Sequence, residues 1–411
     1  MLDINYILEN KEKVKKGVKD KGYDPKVVDR LLRVDETRRQ LISDIEKLRA
    51  EKNKLTREDI QKGKKIKETL RRLEPDLKAV GEEFKNILYK IPNLPAKDVH
   101  AGKDEFDNKE IKKWGKVPKF SFKVKSHFEL GESLDLIDTK RAGKVSGARF
   151  SYLKNEAVML EFALINFAFE FLLKEGFSLI IPPALISLDS MKAMGYLENK
   201  GIGEMYVLEK DKLVLIGTAE QSLGPMHKDE IFNEKDLPKR YVGFSPCFRR
   251  EAGSYGKDTK GILRVHQFNK VEMFSFVNPK DSDKEHEYFL SLEEKLMQKL
   301  EIPYRVVKMC SGDLGDPAAR KYDIEAWFPS EKKYRETHST STCTDYQSRR
   351  LNIKYRKKNG DLDFVHTLNG TAFSERPILA ILENYQQKDG CVLVPKVLQK
   401  YTGFKKICPR K

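Results

Sequence analysis

The fold of this chain is decided by two stretches, YVGFSPCFRRE at residues 241–251 and LRVHQFNKVEMF at residues 263–274. Both have the composition of β-strands, and the glycine-rich, cationic segment 252–261 between them predicts a hairpin with a mobile loop. Strand-like runs recur with few helices between them, at residues 178–181, 213–216, 241–248 and 263–276. This order favours an antiparallel sheet in an α+β domain. A Rossmann sheet would need alternating βα units and a glycine fingerprint, which the sequence lacks.

Alternation along the two strands brings chemically useful side chains to one face of each strand. Arg249 and Glu251 share a face of the first strand, and Phe268 and Glu272 share a face of the second. This set suits a nucleotide, because a ring can stack on the base, an arginine can bind phosphate and carboxylates can bind amine or ammonium groups. The alternative is a core phenylalanine beside a surface ion pair. The combination around one hairpin favours the functional interpretation.

A third stretch, LNGTAFSERP at residues 368–377, precedes an apolar helical run. Pro377 fits the first helical turn and Ser374 can cap it. Arg376 would then add its charge to the positive end of the helix and create an anion site. A plain helix start with a solvated arginine is the alternative.

The first 100 residues follow a different pattern. Mostly apolar residues recur at alternating spacings of four and three over residues 27–55, where Arg38 and Lys52 are the exceptions, and again over residues 66–91. This spacing is the seam of a left-handed coiled coil. The polar segment 56–65 contains Gly63 and is predicted to be the tip of an antiparallel two-helix hairpin. Pro75 lies inside the second run, where a proline should kink or restart the helix.

The distal half of this hairpin is basic. Two helices alone cannot bury much surface, so the hairpin is expected to project and contact a partner. We expect it to contact a nucleic-acid backbone, through Arg38, Arg49, Lys54, Arg57, Lys64 and Arg71. A solvated, salt-bridged helix surface or a dimerisation hairpin would show similar charges. Residues 1–100 are therefore predicted as a helical arm, the proline-containing residues 101–126 as a linker, and residues 127–411 as the α+β domain.

Charge and cysteine content limit the class of protein. Lys and Arg number 79 against 63 Asp and Glu, and the net charge of +16 suggests a phosphate-rich partner, although a lysine-rich surface would look the same. The five cysteines form no CxxC pair, so we expect reduced thiols and no zinc. No segment resembles a signal peptide, and the apolar run 162–173 is too short to span a bilayer. These features predict a soluble, cytoplasmic protein.

Several of these segments resemble the signatures of one family, the seryl-tRNA synthetases among the class II aminoacyl-tRNA synthetases. FRREAG and HQFNKVE resemble the two strands of the second class II motif, and LNGT with Arg376 resembles the third. The predicted helix 156–175 and the FSLIIPP that follows resemble the first motif, which forms a dimer interface in the family. Further similar segments are TAE at 218–220, SGDLG at 311–315, YDIE at 322–325 and CTDYQSRR at 343–350.

The resemblance implies a function as well as a fold. It implies a class II catalytic domain with an antiparallel sheet, preceded by a coiled-coil arm. It also implies an enzyme that activates L-serine with ATP and transfers it to tRNA(Ser). The coiled-coil arm of the protein would bind the long variable arm of this tRNA. Charging of tRNA(Sec) is a further candidate, and a homodimer through residues 156–183 is expected. The alternatives are a paralogue that loads a carrier protein and a non-catalytic RNA-binding derivative. A coiled-coil nucleic-acid binder would leave the Glu220, Arg249 and Glu272 set unexplained.

The resemblance also assigns the serine pocket. It implies that Thr218 and Glu220 hold the serine amino group. Glu272 accepts the serine hydroxyl, and Asn369 and Thr371 complete the pocket.

For the nucleotide, the resemblance implies that Arg249 bridges the serine carboxylate and the α-phosphate, with Arg376 as the second catalytic arginine. Glu251 reads the adenine amine and Phe268 stacks on the ring. Mg²⁺ would be held by Glu336 and Ser339. The full ATP-binding set is Arg249, Arg250, Glu251, Phe268, Glu336, Thr337, His338, Ser339 and Arg376.

The sequence departs from the family pattern in three places. The segment ETHS at 336–339 contains His338 where the family usually has Glu-Ile-Ser-Ser, the segment 369–376 is one residue shorter than usual, and Gly217 stands where proline is common. The shortening bears on the position of Thr371. None of the three removes a charged catalytic residue.

Overall fold

A computed structural model describes residues 1–56, 58–199, 201–252 and 262–410. The chain divides into two units, Met1–Leu94 and Pro95–Lys411. The first unit is helical, with α1 Ile4–Glu9, α2 Lys11–Asp20, α3 Lys26–Lys52 and α4 Ile60–Lys90.

Helices α3 and α4 form the antiparallel pair that the heptad spacing predicts. Ile45 of α3 packs against Ile66 and Leu70 of α4 in a small core. Ion pairs cross between the helices in reversed order along the chain, from Arg30–Glu83 through Arg49–Glu74 to Lys62–Glu51. The prediction of a helical hairpin at the N-terminus is confirmed.

Two details of the predicted hairpin are wrong. Helix α4 begins at Ile60, so the connection is shorter than the predicted tip at 56–65; the lysines and glutamine of residues 60–65 are good helix formers. The helix also continues through Pro75 without a break. Leu73 and Leu77 pack on the seam on both sides of the proline, and this packing holds the helix together where one backbone hydrogen bond is missing.

The second unit mixes helices and strands. Its helices are α5 His127–Ser133, α6 Thr139–Ser146, α7 Glu156–Lys174, α8 Leu188–Met194, α9 Glu220–Leu223, α10 Ser282–Lys299, α11 Tyr346–Leu351, α12 Arg376–Asn384 and α13 Gln399–Thr402. Its strands are β1 Lys109–Trp114, β2 Ile137–Asp138, β3 Tyr152–Leu153, β4 Ser178–Ile180, β5 Leu185–Ser187, β6 Val207–Leu208, β7 Leu213–Leu215, β8 Ile231–Asn233, β9 Lys239–Phe248, β10 Gln267–Val277, β11 Tyr304–Lys308, β12 Arg320–Phe328, β13 Lys333–Thr344, β14 Lys354–Arg356, β15 Leu362–Phe364, β16 His366–Ser374, β17 Val392–Leu393 and β18 Lys406–Ile407.

An eight-stranded sheet organises this unit. Its order is β1-β11-β12-β13-β16-β10-β9-β4, and neighbouring strands are antiparallel except for the parallel pair β4 and β9. The two stretches that decide the fold become the adjacent strands β9 and β10, paired from Phe248↔Gln267 to Lys239↔Phe276. The predicted α+β class with an antiparallel sheet is confirmed.

Strand β1 was not anticipated, because it lies inside the segment 101–126 that the sequence predicts as a linker. It pairs with β11 at the edge of the sheet. Five of its six residues are exposed, so it lacks the alternation of apolar and polar residues that marks a half-buried strand.

The main hydrophobic core lies between one face of the sheet and helices α7, α10 and α12. Leu164, Leu292 and Leu379 from these three helices are almost fully buried in it, together with Val271 and Met273 of β10. Because side chains alternate along a strand, the residues between and beside them on β10 point to the other face. That face carries the cavity described below.

The expectation of reduced cysteines is wrong at one pair. Cys391 and Cys408 form a disulfide next to the paired strands β17 and β18. The sequence did not indicate this pairing, since the two cysteines are 17 residues apart and meet only when these strands pair. Across the described part of the chain, no helix is long and apolar enough to cross a membrane.

Candidate active site

A cavity of about 550 Å³ lies on the open face of the large sheet, within the second unit. Strands β10, β12, β13 and β16 contribute its floor, and the segments after β7 and β9 contribute its sides. It brings together twelve of the sequence-predicted site residues: Thr218, Glu220, Arg249, Glu251, Phe268, Glu272, Glu336, Thr337, Ser339, Asn369, Thr371 and Arg376.

One end of the cavity is rich in buried carboxylates. Glu220 lies at the start of α9, 4% exposed, and accepts hydrogen bonds at Oε1 from the Tyr196 hydroxyl (2.6 Å) and the Gln347 side-chain amide (3.4 Å). Burial, and then the charge of nearby Glu272, raise the pKa of Glu220 to about 7. Both protonation states of Glu220 are therefore accessible near neutral pH, and a cationic ligand would favour the ionised form.

Glu272 shares this end of the cavity with a lysine. Its Oε2 is 2.6 Å from Nζ of Lys270, and the lysine also donates to the Thr218 hydroxyl at 3.3 Å. Burial raises the pKa of Glu272 even though the lysine opposes the shift. Thr371 is the cross-strand partner of Glu272 on β16, so the shorter segment 369–376 leaves this threonine in the cavity.

The other end presents arginines and an aromatic ring. The guanidinium of Arg249 lies 5.2 Å from the centre of the Phe268 ring, and its Nε donates to the Gly217 carbonyl at 3.1 Å. Glu251 pairs with Arg264 at 3.1 Å. The backbone contact at Gly217 holds Arg249 through Nε, and a guanidinium that lines the cavity suits an anion.

Arg376 closes this end from the start of α12. Its Nη1 is 3.0 Å from both the carboxylate Oε2 and the backbone carbonyl of Glu336. Burial opposes ionisation of Glu336, but the charges of Arg376 and Lys321 prevail and lower its pKa to about 2. Lys321 adds a further cation to the cavity wall. The concentration of positive charge here fits a polyphosphate.

A β-bulge explains which residues of the ETHS segment face the cavity. In the pairing of β12 and β13, Ile324 is opposite His338 but Glu325 is opposite Glu336, so Thr337 is an extra residue. The bulge brings both Glu336 and Ser339 to the cavity side.

The same bulge turns the side chain of His338, a residue of the predicted ATP-binding set, away from the cavity. The ring is 1% exposed, packs edge-on against Phe373 and bonds to the Thr337 hydroxyl at 2.9 Å. Burial lowers its pKa to about 3, so it is neutral at physiological pH.

The side chain of Arg250, a second residue of the predicted ATP-binding set, also lies outside the cavity lining. Arg250 follows Arg249 on the chain, but its side chain has different partners. Its Nε donates to the Met205 carbonyl at 2.9 Å, and its guanidinium lies 5.0 Å from the centre of the Tyr206 ring. It is not among the residues that line the cavity.

Sequence reasoning missed Tyr196, Lys270, Lys321 and Glu375, all of which line the cavity. Lys270 could have been predicted from the sequence, since it lies between Phe268 and Glu272 and alternation places all three on the same face of the strand. Tyr196 was not, because it follows the left-handed Gly195 that ends α8 and meets Glu220 only in the folded chain.

The basic residues predicted on the helical arm differ from one another. Arg38 donates two hydrogen bonds to the buried carboxylate of Asp35 and lies 4.5 Å from the centre of the Phe84 ring, so its charge supports the hairpin. Arg49 pairs with Glu74. Lys54, Lys64 and Arg71 are exposed. The sixth predicted residue, Arg57, lies outside the described residues, as does most of the loop 252–261.

Comparisons with known proteins agree with this geometry. Residues 206–385 match the model of the class II tRNA synthetase core domain (G, H, P, S and T), and residues 1–95 match the seryl-tRNA synthetase N-terminal domain. A serine–tRNA ligase of Dictyoglomus turgidum is 46% identical over 425 residues, covering the whole of both chains.

Solved structures agree as well. The crystal structure of seryl-tRNA synthetase from Pyrococcus horikoshii complexed with ATP is 43% identical, with a TM-score of 0.95 over 100% of both chains. The cytoplasmic serine–tRNA ligase of Naegleria fowleri in complex with AMP is 34% identical, with a TM-score of 0.91 over 100% of this chain and 99% of that one. The chain belongs to the seryl-tRNA synthetase family of class II aminoacyl-tRNA synthetases.

Proposed function

We propose that the cavity is the site where this chain, an ATP-dependent serine–tRNA ligase, activates serine. The observation that carries the proposal is the convergence of two buried carboxylates, Glu220 and Glu272, with two arginines, Arg249 and Arg376, in one cavity. The carboxylate end suits a small zwitterion that carries an ammonium group and a hydroxyl. The arginine end suits a nucleotide triphosphate.

In the proposed serine complex, Glu220 and Thr218 bind the ammonium group. Glu272, Asn369 and Thr371 bind the side-chain hydroxyl. A buried pocket that bonds a hydroxyl rejects alanine, because its own polar groups would be left without partners. Threonine has to be excluded by its extra methyl group, which is a weaker filter.

In the first step, a carboxylate oxygen of serine attacks the α-phosphorus of ATP. A new oxygen–phosphorus bond forms as the bond to pyrophosphate breaks, and no general base is needed because the serine carboxylate is already ionised. Arg249 stabilises the charge on the α-phosphate, and Arg376 holds the adenine ring or the outer phosphates. Catalysis at this step is positioning together with charge stabilisation.

In the second step, a terminal ribose hydroxyl of the tRNA attacks the carbonyl carbon of the seryl-adenylate. The ester bond forms, AMP leaves, and the proton of the hydroxyl is released. We assign no protein base to this proton.

The residues of β13 fit a magnesium ion that accompanies ATP. Glu336 and Ser339 place a carboxylate and a hydroxyl on the cavity side, and oxygen donors are the ligands that Mg²⁺ prefers. When bound with the nucleotide, the ion neutralises phosphate charge and favours departure of pyrophosphate. Glu336 also pairs with Arg376.

The helical hairpin is the proposed tRNA-binding element, and tRNA(Ser) with its long variable arm is the proposed substrate, with tRNA(Sec) as a second. Exposed Lys54, Lys64 and Arg71 would contact phosphates. The hairpin disfavours loading of a carrier protein, which needs no such arm. Because tRNA charging serves translation, we propose a cytoplasmic location.

We also propose a homodimer through α7 and the strand that follows it. Met159, Phe162 and Leu173 of α7 are exposed, and so are Leu179 and Ile181 just beyond it. A group of large apolar side chains at the surface is typical of a subunit interface. Analytical ultracentrifugation of the chain and of a Phe162→Glu variant tests this part.

Serine-dependent ATP–pyrophosphate exchange tests the activation step. The expected result is exchange that requires serine and Mg²⁺ and is much weaker with alanine or threonine. Equal exchange with all three amino acids, or none with serine, would refute the proposal.

A further inference from the structure

Glu220 is the carboxylate that the proposed function gives to the substrate ammonium group, and two further side chains hold it in place. We infer that Tyr196 and Gln347 are positioning residues that orient Glu220 for amino-acid binding. The inference rests on the proposed function, since it deepens the role given there to Glu220. No catalytic contact is assigned to either residue.

The geometry around the carboxylate carries the inference. The Tyr196 hydroxyl donates to Oε1 of Glu220 at 2.6 Å, and the Gln347 side-chain amide donates to the same oxygen at 3.4 Å. Both donors address Oε1, which leaves Oε2 for a ligand. An ionised carboxylate can accept several hydrogen bonds at once, so these two do not compete with a substrate ammonium group.

Gln347 is itself fixed on both sides of its amide. Its Oε1 accepts a hydrogen bond from the Thr367 hydroxyl at 2.6 Å, and its Nε2 also donates to the Met194 carbonyl at 3.3 Å. The side chain is fully buried. The amide therefore presents its N–H group to Glu220 in one orientation, connecting α11 and β16 to the carboxylate.

Tyr196 is held by the chain reversal at the end of α8. Gly195 adopts a left-handed conformation with φ of 89°, and a side chain at that position would come within 3.0 Å of the Tyr346 ring. Glycine thus allows the turn that delivers Tyr196 to the cavity wall. The ring is itself a lining residue, so its hydroxyl reaches Glu220 from inside the cavity.

The burial of Glu220 shows why such support matters. The charged and titratable groups around it are Glu272 and Lys270 of β10 and the Tyr196 hydroxyl; Cys343 of β13 lies near the tyrosine. Burial and the negative charge of Glu272 both disfavour the ionised form, whereas the bonds from Tyr196 and Gln347 favour it. Without these donors, Glu220 would take up a proton more readily and lose its attraction for the ammonium group.

The test is Tyr196→Phe, which removes one hydroxyl and keeps the ring. A hydrogen bond to a charged group is worth enough that we expect the KM for serine at pH 7 to rise about tenfold. The KM for ATP should stay unchanged. The acid limb of kcat/KM for serine should move to higher pH, because the lost bond had lowered the pKa of Glu220. An unchanged serine KM with an unmoved acid limb would overturn the inference.

The matched control is Tyr304→Phe. This tyrosine is also buried and donates to a carboxylate, Glu294, at 2.8 Å, but it lies in the core away from the cavity. Its removal should leave the serine KM and the pH profile unchanged. If thermal unfolding shows that Tyr196→Phe does not fold, Gln347→Met is tested in its place by the serine KM and the acid limb of kcat/KM. The expected rise in the serine KM is smaller, because the hydrogen bond from Gln347 to Glu220 is longer.

Glu220→Gln separates failure of the inference from failure of the proposed function. If Glu220→Gln leaves the serine KM unchanged, the assignment of Glu220 itself is refuted. If Glu220→Gln weakens serine binding but Tyr196→Phe does not, only the positioning role fails. The inference predicts that Tyr196→Phe adds no further loss in the Glu220→Gln background, since the two residues then act as one unit.

Discussion

The helical hairpin and the cavity use the same charged residue types in opposite surroundings. On the hairpin, the pairs Arg30–Glu83 and Arg49–Glu74 have side chains 44–61% exposed, where water screens the charges. In the cavity, the Lys270–Glu272 pair is at most 10% exposed. Exposed pairs contribute about 0–1 kcal/mol, whereas breaking a buried pair costs several times more.

This difference in the exposure of the charged pairs suits the two regions to different ligands. A buried charge interacts strongly and selectively with a small ligand, because little water competes with it. Exposed lysines and arginines cannot select a small ligand in this way, but they can follow a long phosphate backbone. Substitutions should therefore act steeply in the cavity and gradually on the hairpin.

The largest effect is expected from Arg249→Ala. Loss of the guanidinium that we propose to face the α-phosphate should lower serine-dependent pyrophosphate exchange by about a thousandfold. The matched control is Arg250→Ala, since the adjacent arginine bonds to the Met205 backbone carbonyl and is not itself a lining residue of the cavity. Comparable losses in both variants would contradict the placement of Arg249.

The next effect concerns selectivity. Glu272→Ala should lower the preference for serine over alanine by about a hundredfold or more, because the pocket no longer has a carboxylate that requires a hydroxyl partner. The measurement is the ratio of kcat/KM for the two amino acids in pyrophosphate exchange. An unchanged ratio would show that Glu272 does not recognise the hydroxyl.

A smaller, graded effect is expected from pH. The pKa of Glu220 is raised to about 7, so the ionised form, which we propose binds the serine ammonium group, is lost as the pH falls below that value. The value of kcat/KM for serine should therefore decrease by up to about tenfold per pH unit on the acid side. Glu220→Gln should abolish this limb of the profile; its persistence would assign the titration to another group.

The smallest expected effect lies on the hairpin and concerns stability. Arg38→Ala removes two hydrogen bonds to buried Asp35 and the contact with the Phe84 ring. The free energy of unfolding of the first unit should fall by about 1–2 kcal/mol. Arg49→Ala, which breaks an exposed pair, should change it by less than about 0.5 kcal/mol. Chemical denaturation followed by circular dichroism compares the two variants.

Local patterns were enough to predict the fold class and the helical hairpin. Strand-like composition identified β9 and β10, and the four-three spacing identified the hairpin, because its apolar seam is the face that each helix buries against the other. Strand β1 was not predicted, because nearly all of its residues are exposed. The start of α4 escaped because its first turn carries polar helix formers without an apolar stripe.

The site was predictable only as far as strands alternate regularly. Arg249, Phe268 and Glu272 follow from alternation, but the bulge at Thr337 shifts the pattern on β13 and turns His338 away. No local signal marks such a bulge. Tyr196 depends on contacts between distant segments, which no local pattern encodes.

The proposal that the cavity activates serine and the hairpin binds tRNA is tested most directly by reversing charge on the hairpin alone. The variant carries Lys54→Glu, Lys64→Glu and Arg71→Glu, and both serine-dependent pyrophosphate exchange and aminoacylation of tRNA(Ser) are measured. The expected result is unchanged exchange with aminoacylation reduced tenfold or more, and with a weaker dependence on salt (about one unit of slope per lost phosphate contact). A parallel fall in both reactions, or unchanged aminoacylation, would contradict the account.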